Sequence, residues 1–76
     1  MIFHRSIISG KRWEASGTNG QYAVMKRGSH EYVWAVLRPN SRSWAMPDQS
    51  KYIDLNNAKL AATEFDQLSV LGSVRG

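Results

Sequence analysis

The dipeptide Asn19-Gly20, set within Thr18-Asn19-Gly20-Gln21, constrains this chain more than any other feature. Asn and Gly both accept the positive φ angles of a type I′ turn, and between extended stretches that pair is the strongest short-range hairpin signal. Residues 11–17 and 21–27 are therefore expected as antiparallel strands. Gly28-Ser29 marks a second turn. Beyond it, Glu31-Tyr32-Val33-Trp34-Ala35-Val36-Leu37 is dense in β-branched and aromatic residues and reads as a third strand. Residues 38–50 carry Pro39-Asn40 and Pro47-Asp48 among serines, which marks a loop. Trp44-Ala45-Met46 is an apolar island within that loop, either a short strand or a flap against the body. Asp54 is placed to cap a helix over residues 54–71, because its carboxylate can accept bonds from first-turn amides. Leu55, Ala58, Ala61, Ala62, Phe65 and Leu68 recur at spacings of three and four, the apolar stripe of an amphipathic helix. Gly72 and Gly76 end it loosely.

The expected fold class is α+β: a three-stranded antiparallel sheet packed on one C-terminal helix, in one domain. Residues 1–10 are an N-terminal extension or a fourth, edge strand. At 76 residues a single core contributes only about 3–5 kcal/mol, which argues against a self-contained enzyme with a deep, dry pocket. The absence of cysteine removes disulfides, thiolate chemistry and zinc knuckles. His4 and His30 have no partner at metal-ligand spacing, and Ser9-Gly10-Lys11 lacks the rest of a phosphate loop. No catalytic residues, cofactor or metal are expected. The apolar start is interrupted by His4 and Arg5, and no run of about 18 apolar residues exists, so neither a secretory signal nor a membrane span is expected, and the default compartment is the cytoplasm.

Charge gives the functional lead. The net formal charge is +4, and it is unevenly spread: residues 1–42 hold seven Lys and Arg against two Glu, whereas residues 43–76 hold three against four Asp and Glu. A localised positive field attracts polyanions. A two-residue turn at Asn19-Gly20 would pair Trp13 with Lys26, Ala15 with Val24 and Arg12 with Arg27. A two- or four-residue second turn would pair Val24 with Val33 and Ala23 with Trp34. One face would then carry Trp13, Ala15, Tyr22, Val24, Val33, Ala35 and Leu37 against the helix. The other would present Arg12, Glu14, Ala23, Met25, Arg27, His30, Tyr32, Trp34 and Val36. A three-residue second turn would exchange the third strand's faces, because side chains alternate with a period of two. The outer face would also be lost if residues 1–10 or the Trp44 loop folded over it as a second small core.

Trp13 leading a strand, Gly20-Gln21-Tyr22-Ala23-Val24 after a turn, Tyr32 to Leu37, and the helix opening Asp54-Leu55-Asn56-Asn57-Ala58-Lys59 together resemble small three-stranded-sheet-plus-helix DNA-binding modules. These include the arm-binding amino-terminal domains of phage and transposon integrases and the AP2-type domains. The resemblance covers roughly residues 13–65 and is one of element order and aromatic placement. It implies a sheet that enters the major groove, with Arg12, Arg27 and Trp34 as readers. The long connection over residues 38–50 departs from the group, and no recombinase domain follows, so the likeness is to a stand-alone phage or mobile-element accessory protein.

The first expectation is thus a small basic nucleic-acid-binding protein, DNA favoured over RNA, working through the outer sheet face. Lys11, Arg12, Lys26, Arg27 and Arg38 would meet phosphates or base edges, while Tyr32 and Trp34 would stack. About four such contacts imply a log–log salt slope near −3.6 on duplex DNA. The alternative is a phage-type inhibitor or adaptor that binds a host protein through Tyr32, Trp34, Trp44 and Met46. Self-association as a homodimer through the same apolar face is a third reading.

Overall fold

Two glycines shape the first hairpin in the computed structural model, which describes residues 1–48 and 50–75. Strand β2 (Arg12–Gly17) and strand β3 (Gly20–Gly28) pair from Gly17↔Gly20 through Trp13↔Val24 to Arg12↔Met25. The central turn residues are therefore Thr18 and Asn19, both with negative φ, and Gly20 alone takes a positive φ of 149°. The expected Asn19-Gly20 turn is displaced by one position at each end. The pairing moves by two residues, so face parity in these two strands is kept: Trp13, Ala15, Tyr22 and Val24 share one side as expected.

Strand β4 (Glu31–Leu37) follows the bounds read from the sequence, but its faces are exchanged. It pairs Val24↔Trp34, Tyr22↔Val36 and Lys26↔Tyr32, then steps to Gly28↔Glu31. Arg27 is the extra residue of a bulge, and the turn itself is Ser29-His30. A two-residue turn plus one bulged residue changes the count by an odd number, and an odd slip sends every side chain to the other face. Tyr32, Trp34 and Val36 consequently join Trp13, Tyr22 and Val24, while Val33 and Ala35 turn away with Ala23 and Met25.

Helix α1 (Leu55–Arg75) covers the first of these faces. Asp54 caps it as expected: the Asn57 amide donates to Asp54 Oδ1 at 2.8 Å. Ala58 and Ala62 are fully buried against Trp13, Tyr22, Val24, Trp34 and Val36, with Leu55, Ala61 and Phe65 alongside. Leu68, assigned to the same stripe, is 66% exposed; the buried position in that turn belongs to Asp66. The helix runs on through Gly72, and Gly76 lies outside the described residues.

The sheet has four antiparallel strands in the order β1-β2-β3-β4 and packs on that one helix, an α+β architecture. Strand β1 is only His4–Arg5, pairing His4↔Glu14 and Arg5↔Trp13. Along the other edge, β4 exchanges two hydrogen bonds with Ala45 through Val36 and two with Tyr52 through Tyr32, at 2.8–2.9 Å. The apolar island thus does pair with the body, and the exposed edge of β4 is closed at two points. In such a meander the β1–β2 connection and the β3–β4 turn lie at one end of the sheet, and the β2–β3 turn lies at the other. No helix among the described residues is long and apolar enough to cross a membrane.

Candidate nucleic-acid interface

The register disposes of the expected outer-face platform. Trp34 is 1% exposed, with its ring 5.2 Å from that of Phe65, and its indole N–H donates to Asp48 Oδ2 at 3.3 Å. It is a core residue and has no face open for stacking. Tyr32 is half-buried on the same side, 6.2 Å from Trp13, with the Lys26 ammonium 5.9 Å from its ring centre. Arg12 sits across from Met25, not Arg27, so the repulsive pair expected there does not form. Its Nε donates to Glu14 Oε2 at 2.6 Å, and its guanidinium lies 5.0 Å from the Trp44 ring centre.

That last contact explains how the second face is covered. Ala45 lies beyond β4, whereas Arg12 is on β2, and neighbouring strands are about 4.8 Å apart. For Trp44 and Arg12 to meet, the ring and the arm between them must span β3 and β4. The cross-strand pair Ala23↔Ala35 beneath leaves room for this, and both alanines are buried. The loop of Trp44 lies over this side, with Met46 half-buried in it, and residues 4–8 wall its β1 edge. What stays open is a depression of about 420 Å³ toward β1 and β2, whose lining includes Arg5, Ile7, Ile8, Glu14, Gln21 and Trp44, the last 39% exposed. Arg5 and Glu14, of opposite sign, leave it with little net charge.

The cations gather elsewhere. At the end of the sheet that holds the β3–β4 turn, Lys11, Lys26, Arg27, Gly28 and Ser29 line a groove of about 340 Å³. The Lys26 amide donates to the Lys11 carbonyl at 2.9 Å, which locks the two basic segments side by side. The bulge leaves Arg27 out of the ladder, and its side chain is exposed. Ion pairs among the described residues are limited to Arg12–Glu14 and Lys51–Glu31, so none of the three groove cations is ion-paired, and the nearest carboxylate in register, Glu31 opposite Gly28, pairs with Lys51. Arg38 is not part of it. That residue leaves β4 at the opposite end and lays its guanidinium 5.6 Å from the Phe65 ring centre. Of the seven expected contacts, the structure brings together Lys11, Lys26 and Arg27 in the groove and leaves Arg12, Trp34 and Arg38 out of its lining, while Tyr32 lies on the helix side and meets only Lys26 of the three.

Two carboxylates that sequence reading treated lightly hold the framework. Asp66 accepts the amides of Thr18 (3.0 Å) and Asn19 (2.8 Å) and the Tyr22 hydroxyl (2.8 Å), so the helix carries the anion on which the β2–β3 turn is built. Burial works against its charge, but these donors outweigh it and hold its pKa below the usual carboxylate value. Burial first, and the bond to Asp66 second, push the Tyr22 phenol well above its ordinary range. Asp48 is held down to about 2, chiefly by the Tyr52 hydroxyl and then by the Ser50 amide, while the Tyr52 phenol is raised by the same bond. Both aspartates are structural anchors. A helix-borne Asp opposite a hairpin turn was legible as a spacing only after the register was known.

No protein-family model, curated protein or solved structure matches this chain.

Proposed function

We propose that this protein binds nucleic acid, duplex DNA in the first instance, through the basic end of its sheet and not through a sheet face. The observation that carries the reading is the groove of Lys11, Lys26 and Arg27, with no acidic partner among the described residues. Cations without an ion pair beside the β3–β4 turn suit a phosphate backbone, where ammonium and guanidinium groups displace condensed counterions and turn amides can donate to phosphate oxygens. With three contacts the log–log slope of affinity against salt falls to about −2.7, shallower than the −3.6 expected from the sequence. Titrating a labelled duplex between low and physiological salt measures it. A slope near that value, together with uniform weakening in Lys11→Ala and Arg27→Ala across unrelated sequences, supports the reading. A flat response, or no binding at low salt, overturns it.

The protein-partner reading keeps one favourable observation, the 39% exposed Trp44 on the rim of the weakly charged depression. It predicts a complex that survives high salt and nuclease and is lost in Trp44→Ala. Trp34 and Tyr32 drop out of it, being packed against the helix side.

A further inference from the structure

Ile7 is 101% exposed and Ile8 is 93% exposed, side by side at the tip of the β1–β2 connection. Single exposed aliphatics are ordinary on protein surfaces, but a fully solvated β-branched pair offers hydrocarbon with nothing of its own chain to cover it. The tip is braced. Ser6 N–H donates to the Arg12 carbonyl at 2.8 Å, Ile8 N–H to Ser6 Oγ at 3.1 Å, and Lys11 N–H to Ser9 Oγ at 3.2 Å. The meander puts this tip at the same end of the sheet as the basic groove, joined to it through Lys11, while the flank of the two isoleucines borders the Trp44 depression.

We propose that Ile7 and Ile8 act as a wedge that enters a base step of duplex DNA while Lys11, Lys26 and Arg27 hold the adjoining phosphates, so that binding bends the duplex. The proposal rests on the nucleic-acid reading above and adds a mode to it. Compact apolar side chains inserted from the minor groove unstack a step and kink the helix axis, and cations beside the wedge gain contact as the DNA bends toward them. An anionic bilayer would also accept hydrocarbon next to cations. However, even a whole myristoyl chain binds membranes only marginally, and two isoleucines present less hydrocarbon than that. Pairing of two tips across a two-fold axis would bring Lys11 and Arg5 of both copies together, a like-charge juxtaposition.

The test uses the full chain, a short duplex carrying a donor and an acceptor dye at its ends, and the double variant Ile7→Ser/Ile8→Ser. Because both side chains are solvated, the variant should keep the wild-type circular dichroism and the same salt slope. Wild type at saturation should shorten the end-to-end distance and favour a duplex with a flexible TA step or a mismatch. The variant should bind several-fold more weakly and leave the duplex straight. A straight duplex under saturating wild type, or equal bending by the variant, overturns the wedge while leaving phosphate binding intact. Absence of duplex binding at any salt overturns the nucleic-acid reading and the wedge with it. Phosphatidylserine vesicles that bind tighter than the duplex, through the two isoleucines, would assign the tip to a bilayer and overturn the proposal.

Discussion

Asp66 joins three elements through one carboxylate. Hydrogen bonds to a charged group contribute about 1.5–3 kcal/mol, and removing the acceptor leaves the Tyr22 hydroxyl buried without its partner. Asp66→Ala should therefore cost about 3 kcal/mol, a large share of the stability of a domain this size, measurable by urea denaturation. The space around Asp66 is tight as well: a Cβ at Gly17 would lie 2.7 Å from the Tyr22 ring and 2.9 Å from the Asp66 carboxylate. A Cβ at Gly20, already at positive φ, would lie 2.5 Å from the Leu37 carbonyl oxygen. Gly20→Ala should cost at least about 1–3 kcal/mol, since backbone and not a flexible side chain must yield. The pH dependence follows from the same groups. Asp66 and Asp48 titrate below their unfolded value of about 3.9, so the stability they contribute is full above that pH and is lost as pH falls through their folded values, near 2 for Asp48. Tyr22 is shifted the other way, so its contribution is lost as pH rises above about 10. Denaturation midpoints across this range should show both limbs, and Asp66→Ala should reduce each without removing it, because Asp48 keeps part of the acid limb and burial of Tyr22 part of the alkaline one.

At the scale of the element, the bulge at Arg27 decides the function of a whole strand. One unpaired residue turns Trp34 inward, and the strand's side chains then complete an aromatic cluster with Tyr22 and Phe65. Deleting Arg27 would close the odd step, drive Trp34 and Val36 to the side of the Trp44 loop, and bring Val33 and Ala35 under the helix. The expected result is loss of cooperative unfolding and of the near-ultraviolet dichroism of the packed rings, whereas Arg27→Ala keeps the residue count and should leave both unchanged. Trp34→Ala should be as damaging as the deletion, because large-to-small changes of buried Trp cost about 3–5 kcal/mol. The helix shows the complementary case. Its buried stripe is narrow and made of alanines, so the helix sits close to the sheet, and Leu60 and Leu68 stay in water.

Taken whole, the molecule uses many of its cations as covers for aromatic rings before any ligand is considered. Arg5 lies over Trp13, Arg12 over Trp44, Lys26 over Tyr32, Arg38 over Phe65 and Lys59 over Phe3, each within 6.0 Å of the ring centre. Such contacts contribute about 0.5–1 kcal/mol apiece at exposed sites. Part of the basic composition is therefore structural, and Lys11 and Arg27 are the groove cations without a ring of their own. A charge swap confined to those two, Lys11→Glu with Arg27→Glu, should abolish duplex binding yet leave the thermal midpoint within a few degrees, because exposed substitutions away from packed groups change stability little. The same swap at Arg12 and Arg38 should lower the midpoint and spare the salt slope.

The sequence by itself determined the order of β2, β3, β4 and α1, the bounds of β4, the Asp54 cap, the alanine stripe of the helix and the excess of positive charge in the first half. Each depends on local propensity or on a period of 2 or 3.6 residues, which a single chain displays directly. Which face each strand shows, and hence whether Trp34 reads a ligand or fills a core, depended on one bulged residue that no local signal at Lys26-Arg27-Gly28 announces. The gathering of Lys11 with Lys26 and Arg27, the placing of Ile7 and Ile8 at the same end of the sheet, and the seating of a hairpin on Asp66 are long-range coincidences. They exist only once strands are paired, because the energy that selects a register comes from burying one whole face, not from the residues of the turn.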